Sequence, residues 1–516
     1  MDTIFSLDFI LTVVQEAFRV KCIIFSALGV FTGVTVGAIP GIAGDIAIAL
    51  LLPFIYNLEP VAALGLLLGI YKGSMFGGAI SAISFGVPGT GGAVATVEDG
   101  YRAKKNGYPK KAMLTALYSS ATGDVISTVI LVFLALPLAM VALKFGPKEY
   151  FSLYVFAILM ISLLLQGGMK KGLVAAAIGL LLGCIGMDPI TGTTRLTFGI
   201  RHLRGGMPLI PLLIGMFAIS ELMTQYLKAW YHNRSKYSKE SELSESSSKL
   251  SKESGYNPSK DIMSFKVYLS SLKATLIGCV MGTFIGALPG AGSSLAAFVS
   301  YGAAKRLSSH PEQFGKGSLE GVAAPEAGNS ATVGSSLIPL IAFGIPGSAT
   351  AALIGAAFMM MGMQPGPLMM QDNMPVMYTF FVVILYASIM NLGIGYFLIP
   401  IYAKISMVKP RFIFPVLFIL AILGTYASRN SIIDIWLLLA AGLLGTLLKK
   451  AKYPLGPLVL AYIIGPGAER SLRQALLMGR GEWSSLLKSP IAIGFYAVTI
   501  VTIILITKAK SQEKFS

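Results

Sequence analysis

Charge is what this chain has least of. Only 13% of its 516 residues are charged, against 54% hydrophobic, whereas soluble domains carry about 25% charge. Mean hydropathy is +0.73. Those values set aside an ordinary soluble domain and place the chain among polytopic membrane proteins. Cysteine is also scarce. Cys22, Cys184 and Cys279 stand in apolar context with no C-x-x-C pair, which supports neither a disulfide framework nor a thiolate metal centre. The three histidines, His202, His232 and His310, fall in separate polar segments, so no histidine metal or catalytic cluster is expected. No G-x-x-x-x-G-K-[ST] string occurs, so any energy must come from an ion gradient or another subunit. HExxH and Ser–His sets are missing too. "AGD" and "TGD" occur, but not the Y-D and G-x-G-D pair that an intramembrane aspartyl protease would need. The chain is therefore not read as an enzyme, and no cofactor is expected. Short alternating segments of the β-barrel kind do not dominate either.

What is present is a series of apolar runs long enough to cross about 30 Å of hydrocarbon as helices. Residues 114–143, 150–165, 374–401, 412–427, 432–448 and 490–506 are examples. The net charge of +17 would suggest nucleic acid in a soluble protein. Here Lys and Arg sit in short loops between apolar runs, as membrane topology requires, and no nucleic-acid partner is expected. The opening "MDTIFSLDFILTVVQEAFRV" reads as an amphipathic interfacial helix over residues 1–19, with no cleavable signal peptide. Residues 231–260 hold ten Ser, six Lys or Arg and four Glu. They cannot bury enough to order themselves and read as a flexible linker over 231–262. The expected organisation is a first transmembrane repeat over 20–230, a second over 263–482, and a C-terminal transmembrane helix and tail over 483–516.

The two halves resemble each other. "GVTVGAIPGIAG" at Gly33 matches "GTFIGALPGAGS" at Gly282, and "FGVPGT" at Phe85 matches "FGIPGS" at Phe343. Pro40 thus aligns with Pro289 and Pro88 with Pro346. Loop charge gives the orientation. In the first half "YNLEP" is acidic and the later "YRAKKNGYPKK" is basic. In the second half "AKRLSSHPEQFGKG" is basic and the later "GMQPGPLMMQDN" is acidic. Basic loops face the cytoplasm, so equivalent loops face opposite sides. Arg19 and Lys21 run against this orientation. The expected fold is an all-α polytopic membrane protein with two inverted structural repeats and broken or re-entrant helices at the Pro-Gly turns.

An unsatisfied backbone group in lipid costs several kcal/mol, and proline removes a donor and blocks helix continuation. A Pro-Gly break at membrane depth survives only where protein or a wet cavity covers it. The helix that restarts presents free N–H groups and about half a positive charge, which together make an anion site. The expected substrate site is therefore Pro40, Gly41, Pro88, Gly89, Thr90, Pro289, Gly290, Ser293, Ser294, Pro346, Gly347 and Ser348. Thr90 and Ser348 supply capping hydroxyls. Carbonyls before the breaks, near Gly86 and Gly344, are candidate Na⁺ ligands. Ordinary helix kinking is the bland alternative for any one of these turns.

Ionisable residues inside spans are functional candidates by default. Lys72 either neutralises a substrate carboxylate or pairs with Asp45, the acid after the first turn. Asp45 is also an ion-coupling candidate. Asp124 and Glu221 are proton sites or helix contacts. Glu98 and Asp99 adjoin a basic loop and read as solvated.

The strings "GAIPGIAG", "FGVPGTGGAVATVEDGYRAKKNG", "GALPGAG", "FGKGSLEGVAAPEAGNSATVGSSLIPLIAFGIPGS" and "MGMQPGP" resemble the large membrane subunit of the tripartite tricarboxylate transporters, the TctA type. The resemblance implies a multi-pass protein of the bacterial inner membrane that imports small organic anions such as citrate, coupled to Na⁺ or H⁺. It implies two partners, a small four-helix membrane subunit and a periplasmic solute-binding protein. It also marks "PEAGNSATVG" as special. There Glu326 offers a carboxylate to the coupling ion, and Asn329 can bind substrate or a cation. The competing readings are an anion channel or a membrane scaffold without concentrative transport, and more remotely an intramembrane protease.

Overall fold

A computed structural model describes residues 6–40, 43–164, 169–188, 191–227, 261–404 and 410–512. Most of the 231–262 linker, and Gly41 of the expected site, lie outside the described residues. The first half runs α1 (Leu7–Ala17), α2 (Val20–Gly37), α3 (Gly44–Leu51), α4 (Pro60–Phe85), α5 (Val94–Lys105), α6 (Pro109–Ala142), α7 (Pro147–Leu164) and α8 (Met169–Gly183). A two-stranded antiparallel hairpin, β1 (Gly186–Met187) and β2 (Thr194–Arg195), leads to α9 (Leu209–Ile214). That helix runs on through a π-turn at Gly215–Ile219. The second half runs α10 (Phe265–Gly286), α11 (Gly292–Leu307), α12 (Leu319–Phe343), α13 (Ala349–Met360), α14 (Met369–Asp372), α15 (Met374–Lys404), α16 (Pro410–Arg429), α17 (Ile432–Lys450), α18 (Leu455–Met478) and α19 (Pro490–Gln512). Among the described residues seven helices are long and apolar enough to cross a membrane, as a polytopic protein requires.

Two helices form the centre. Of the best 18-residue apolar window in α4, 94% is buried, and α12 is buried from Gly321 to Ala342. The first packs on α2 and the second on α10, and each contact is built on glycine. On α2, an added Cβ at Gly29, Gly33 or Gly37 would lie 2.2, 2.4 or 2.5 Å from the carbonyl oxygens of Leu66, Ile70 and Ser74. On α10, an added Cβ at Gly278 or Gly282 would lie equally close to the carbonyl oxygens of Ala324 and Gly328, at 2.3 and 2.2 Å, and one at Gly286 would meet Thr332. The pairing follows the same alignment as the proline motifs. Small residues let backbones touch in lipid, where packing replaces the hydrophobic effect between helices. Gly282→Ala is therefore expected to destabilise the protein by about 1–3 kcal/mol, because backbone on both sides blocks relaxation. Gly302→Ala, with nothing within 4 Å, is expected to be neutral or mildly stabilising. Thermal unfolding in detergent separates the two, and equal midpoints would refute this packing.

Both central helices end alike. Gly86 (φ 69°) and Gly344 (φ 73°) close α4 and α12 in the left-handed conformation that glycine alone adopts freely. After each proline the chain turns back on its own helix: the Gly89 N–H donates to Gly78 O at 3.3 Å, and Gly347 N–H to Ser336 O at 3.1 Å. The restarts differ. Ser348 caps α13, its Oγ accepting from Ala351 N–H at 3.0 Å. Thr90 does not cap with its side chain, contrary to expectation, because a 3₁₀ turn at Gly91–Ala93 precedes α5.

The cytoplasm-type basic loops of the two halves meet. Asn106 Nδ2 donates to Lys316 O at 2.9 Å. Asp99 is fully buried, not solvated as its neighbours suggested. Its carboxylate accepts from the N–H groups of Gly315, Gly317 and Ser318 at 2.8–3.0 Å and from Tyr301 Oη at 2.9 Å. Glu98 is exposed. Asp261, at the end of the expected linker, is also held: it accepts from the N–H groups of Lys110 and Lys111 at 2.9 and 2.8 Å, where α6 begins. Arg19 and Lys21, the charges that opposed the loop pattern, are neutralised locally. Lys21 Nζ lies 2.9 Å from Glu59 Oε1, Arg19 pairs with Glu16 at 2.5 Å, and Arg19 also approaches Glu59 at 3.7 Å. The hydrogen bond from Lys21 holds the Glu59 carboxyl below the usual range.

Candidate functional site

Four helix starts border one cavity of about 210 Å³. That is smaller than the roughly 300–1,000 Å³ of pockets for drug-sized ligands, and it suits a small solute. Gly44 and Asp45 come from the first turn of α3. Gly290, Gly292, Ser293 and Ser294 come from the turn into α11. Ser348, Ala349 and Thr350 open α13, and Thr90 and Gly91 lead into α5. Each helix start brings unpaired N–H groups and partial positive charge. The halves touch across the cavity: a Cβ on Gly91 would lie 2.6 Å from Ser294 Oγ. Gly290 N–H donates to Gly347 O at 2.9 Å, tying two turns of the second half together. Asp45 partly answers its own helix, its carboxylate accepting from Ile46 N–H at 3.0 Å.

A second chamber of about 390 Å³ shares Ala43, Asp45, Thr90 and Gly91 with the first. Pro88, Gly89, Phe217, Glu221 and Lys449 also line it. Lys449 Nζ lies 2.5 Å from Glu221 Oε2. Of the expected residues, Thr90, Gly290, Ser293, Ser294, Ser348 and Asp45 thus meet in the first chamber. Pro88 and Gly89 lie in the second. Pro40, Pro289, Pro346 and Gly347 shape the turns without lining either chamber, and Gly86 and Gly344 line neither.

Lys72 is elsewhere. Its ammonium is fully buried between α4, α6 and α15, donating to Asp124 Oδ1 at 2.5 Å, Ser388 Oγ at 2.8 Å and Thr128 Oγ1 at 3.2 Å. All three donors are used. The partner is Asp124, neither Asp45 nor a group in the cavity. A buried cation keeps its charge only with such compensation, and Asp124 becomes the helix contact that one of its two readings allowed.

Glu326 and Asn329 sit one layer behind the cavity wall, three residues apart on α12 and fully buried. Thr96 Oγ1 donates to Glu326 Oε1. Asn329 Nδ2 donates weakly to Met75 O at 3.4 Å, and its Oδ1 faces Gly92. Glu326 Oε2, Asn329 Oδ1 and Thr90 Oγ1 are buried without a hydrogen-bond partner. Buried oxygens lacking donors are the ligand chemistry of a hard cation or a proton.

Tyr71 and Lys449 are among the lining residues that the sequence reading did not name. Tyr71 reaches the second-half break, its Oη 3.2 Å from both Ser348 Oγ and Ser336 Oγ. The alignment that pairs Pro88 with Pro346 also pairs Tyr71 with Asn329, which reaches the first-half break at Gly92, so a signal existed in the register. Lys449 gave none, because "LLKKAKY" reads as one more basic loop.

Comparison with known proteins agrees with the resemblance. The model of the tripartite tricarboxylate transporter TctA family matches residues 23–460. The chain is 33% identical over 484 residues to an uncharacterized 52.8 kDa protein in the TAR-I ttuC' 3' region of Agrobacterium vitis, covering 94% of this chain and 92% of that protein. It is 34% identical over 224 residues to an uncharacterized protein in the TAR-II ttuC' 3' region of the same organism, covering 43% of this chain and 93% of that protein. No solved structure matches. With most of its length matched, and with its helix breaks gathered round one small polar cavity, the chain belongs to the tripartite tricarboxylate transporter TctA family.

Proposed function

We propose that the chain is the transport subunit of a secondary carrier that imports small tri- or dicarboxylates, citrate among them, by ion-coupled alternating access. It works in the bacterial inner membrane with a small four-helix membrane subunit and a periplasmic solute-binding protein. The observation that carries this reading is the convergence of four helix starts on one cavity of about 210 Å³. Partial positive charge and free N–H groups aimed at one point are a receptor for carboxylates. The family's name supports the substrate class and the partners.

The inverted arrangement has support beyond loop charge. The basic loops that touch, 101–111 and 305–317, are not equivalent in the two halves. Two halves pointing in opposite directions would bring these loops to one face. Coupling has an electrostatic reason. Among the described residues, the two chambers are lined by the carboxylates Asp45 and Glu221 and one ammonium, Lys449. Adding a di- or trianion at low dielectric requires compensating charge. A co-transported Na⁺ or H⁺ supplies it, with Glu326, Asn329 and Asp45 as the ligands.

Purified with its partner subunits and reconstituted, the protein is expected to accumulate labelled citrate or a shorter dicarboxylate above the outside concentration. Uptake should be saturable and should require Na⁺ or a proton gradient. Uptake that only equilibrates would make it a channel, and no uptake of any carboxylate would overturn the reading.

A further inference from the structure

The second chamber contains an ion pair that the helix-start receptor does not need. Lys449 stands in the last turn of α17, where the helix C-terminus favours a cation. Glu221 lies two residues beyond the π-turn at Gly215–Ile219, an irregularity found often at functional sites. Lys449 Nζ and Glu221 Oε2 are 2.5 Å apart, and both side chains remain about one quarter exposed, at 26% and 25%. Gln225 Nε2 donates to the other oxygen, Glu221 Oε1, at 2.9 Å. Among the described residues lining the two chambers, Lys449 is the one full positive charge.

Its resting partner is a carboxylate, the same chemical group that a transported carboxylate carries. We propose that Lys449 is the counter-charge an organic anion meets in this chamber, and that Glu221 and the solute's carboxylate exchange on it. This rests on the carboxylate-transport reading above. Gln225 gives Glu221 a hydrogen bond to keep when the ammonium is taken. Exposure at the chamber wall lets the solute reach the pair, which a deeply buried brace such as Lys72–Asp124 would not allow.

The exchange predicts opposite effects from the two partners. In reconstituted complex, Lys449→Gln should raise the KM for citrate or a dicarboxylate about tenfold or more, the size of one charge-assisted hydrogen bond. Glu221→Gln removes the competitor and should lower KM severalfold. The double variant should behave like Lys449→Gln, and Lys449→Arg should restore most of the affinity. A purely structural pair gives another pattern: both single variants are impaired alike and the double recovers, because removing both partners leaves no unpaired charge. That pattern, or an unchanged KM in Lys449→Gln, would overturn the proposal while leaving carboxylate transport standing. Absence of carboxylate uptake by the unaltered complex would overturn the reading beneath it, and the exchange with it.

Discussion

Replacing Asp99 with alanine is expected to cost about 3–5 kcal/mol of stability, because it strips a buried charge-assisted acceptor from several donors at once. Three backbone N–H groups at residues 315–318 and the Tyr301 hydroxyl converge on this one carboxylate. Without it they remain buried and unpaired, each at a cost of about 1–3 kcal/mol unless water enters. Asp99→Asn keeps an acceptor and loses the charge, so it should fall between. Glu98→Ala, one residue away and exposed, should change little. The measurement is the thermal midpoint in detergent, together with protease cleavage within 308–317, which should accelerate only where the Asp99 carboxylate is lost. A midpoint for Asp99→Ala within a degree of the parent would show that these bonds do not hold the two halves together.

Glu326→Gln is expected to lower cation-dependent uptake about a hundredfold, the scale of losing one strong charged ligand of about 3 kcal/mol. Glutamine keeps an oxygen for the Thr96 hydroxyl, so the packing is preserved while the charge and the titratable proton go. Asn329→Ala is expected to cost about tenfold, through loss of the Oδ1 that faces Gly92 at the first-half break. Both variants should elute and melt like the parent, which separates this effect from misfolding. The coupling ion identifies itself in the same assay. If Na⁺ is the ion, Glu326→Gln shifts the Na⁺ dependence to higher concentration. If H⁺ is the ion, the pH dependence of uptake flattens. Normal uptake by both variants would remove this pair from the transport site.

The parts of the molecule visible in its sequence are those written locally. Proline and glycine act on the backbone where they stand, so the breaks at Pro88 and Pro346 could be placed from the string alone, and their repetition exposed the two halves. The glycine spacing at Gly29, Gly33 and Gly37 likewise announces a close helix contact, although not its partner. Side-chain partnerships were hidden because they are tertiary. Asp99 stands beside Arg102, Lys104 and Lys105, a neighbourhood that reads as solvated, yet its acceptor duty is to residues more than two hundred positions later. Thr90 has a capping residue's identity, and a three-residue 3₁₀ turn cancels that role. Lys72 was visible as an anomaly, but its partner Asp124 lies 52 residues along the chain.

That last separation bears on how the protein is made. When α4 leaves the ribosome its lysine lacks its final partners, since Asp124 has yet to be synthesised and Ser388 comes 316 residues after Lys72. A lone ammonium at the centre of a bilayer-spanning helix is costly to release into lipid. The nascent helix must therefore wait at the insertion machinery, or in a wet niche beside it, until α6 arrives. Its berth is finished only when α15 docks, so the first half cannot reach its final packing before most of the second has been threaded.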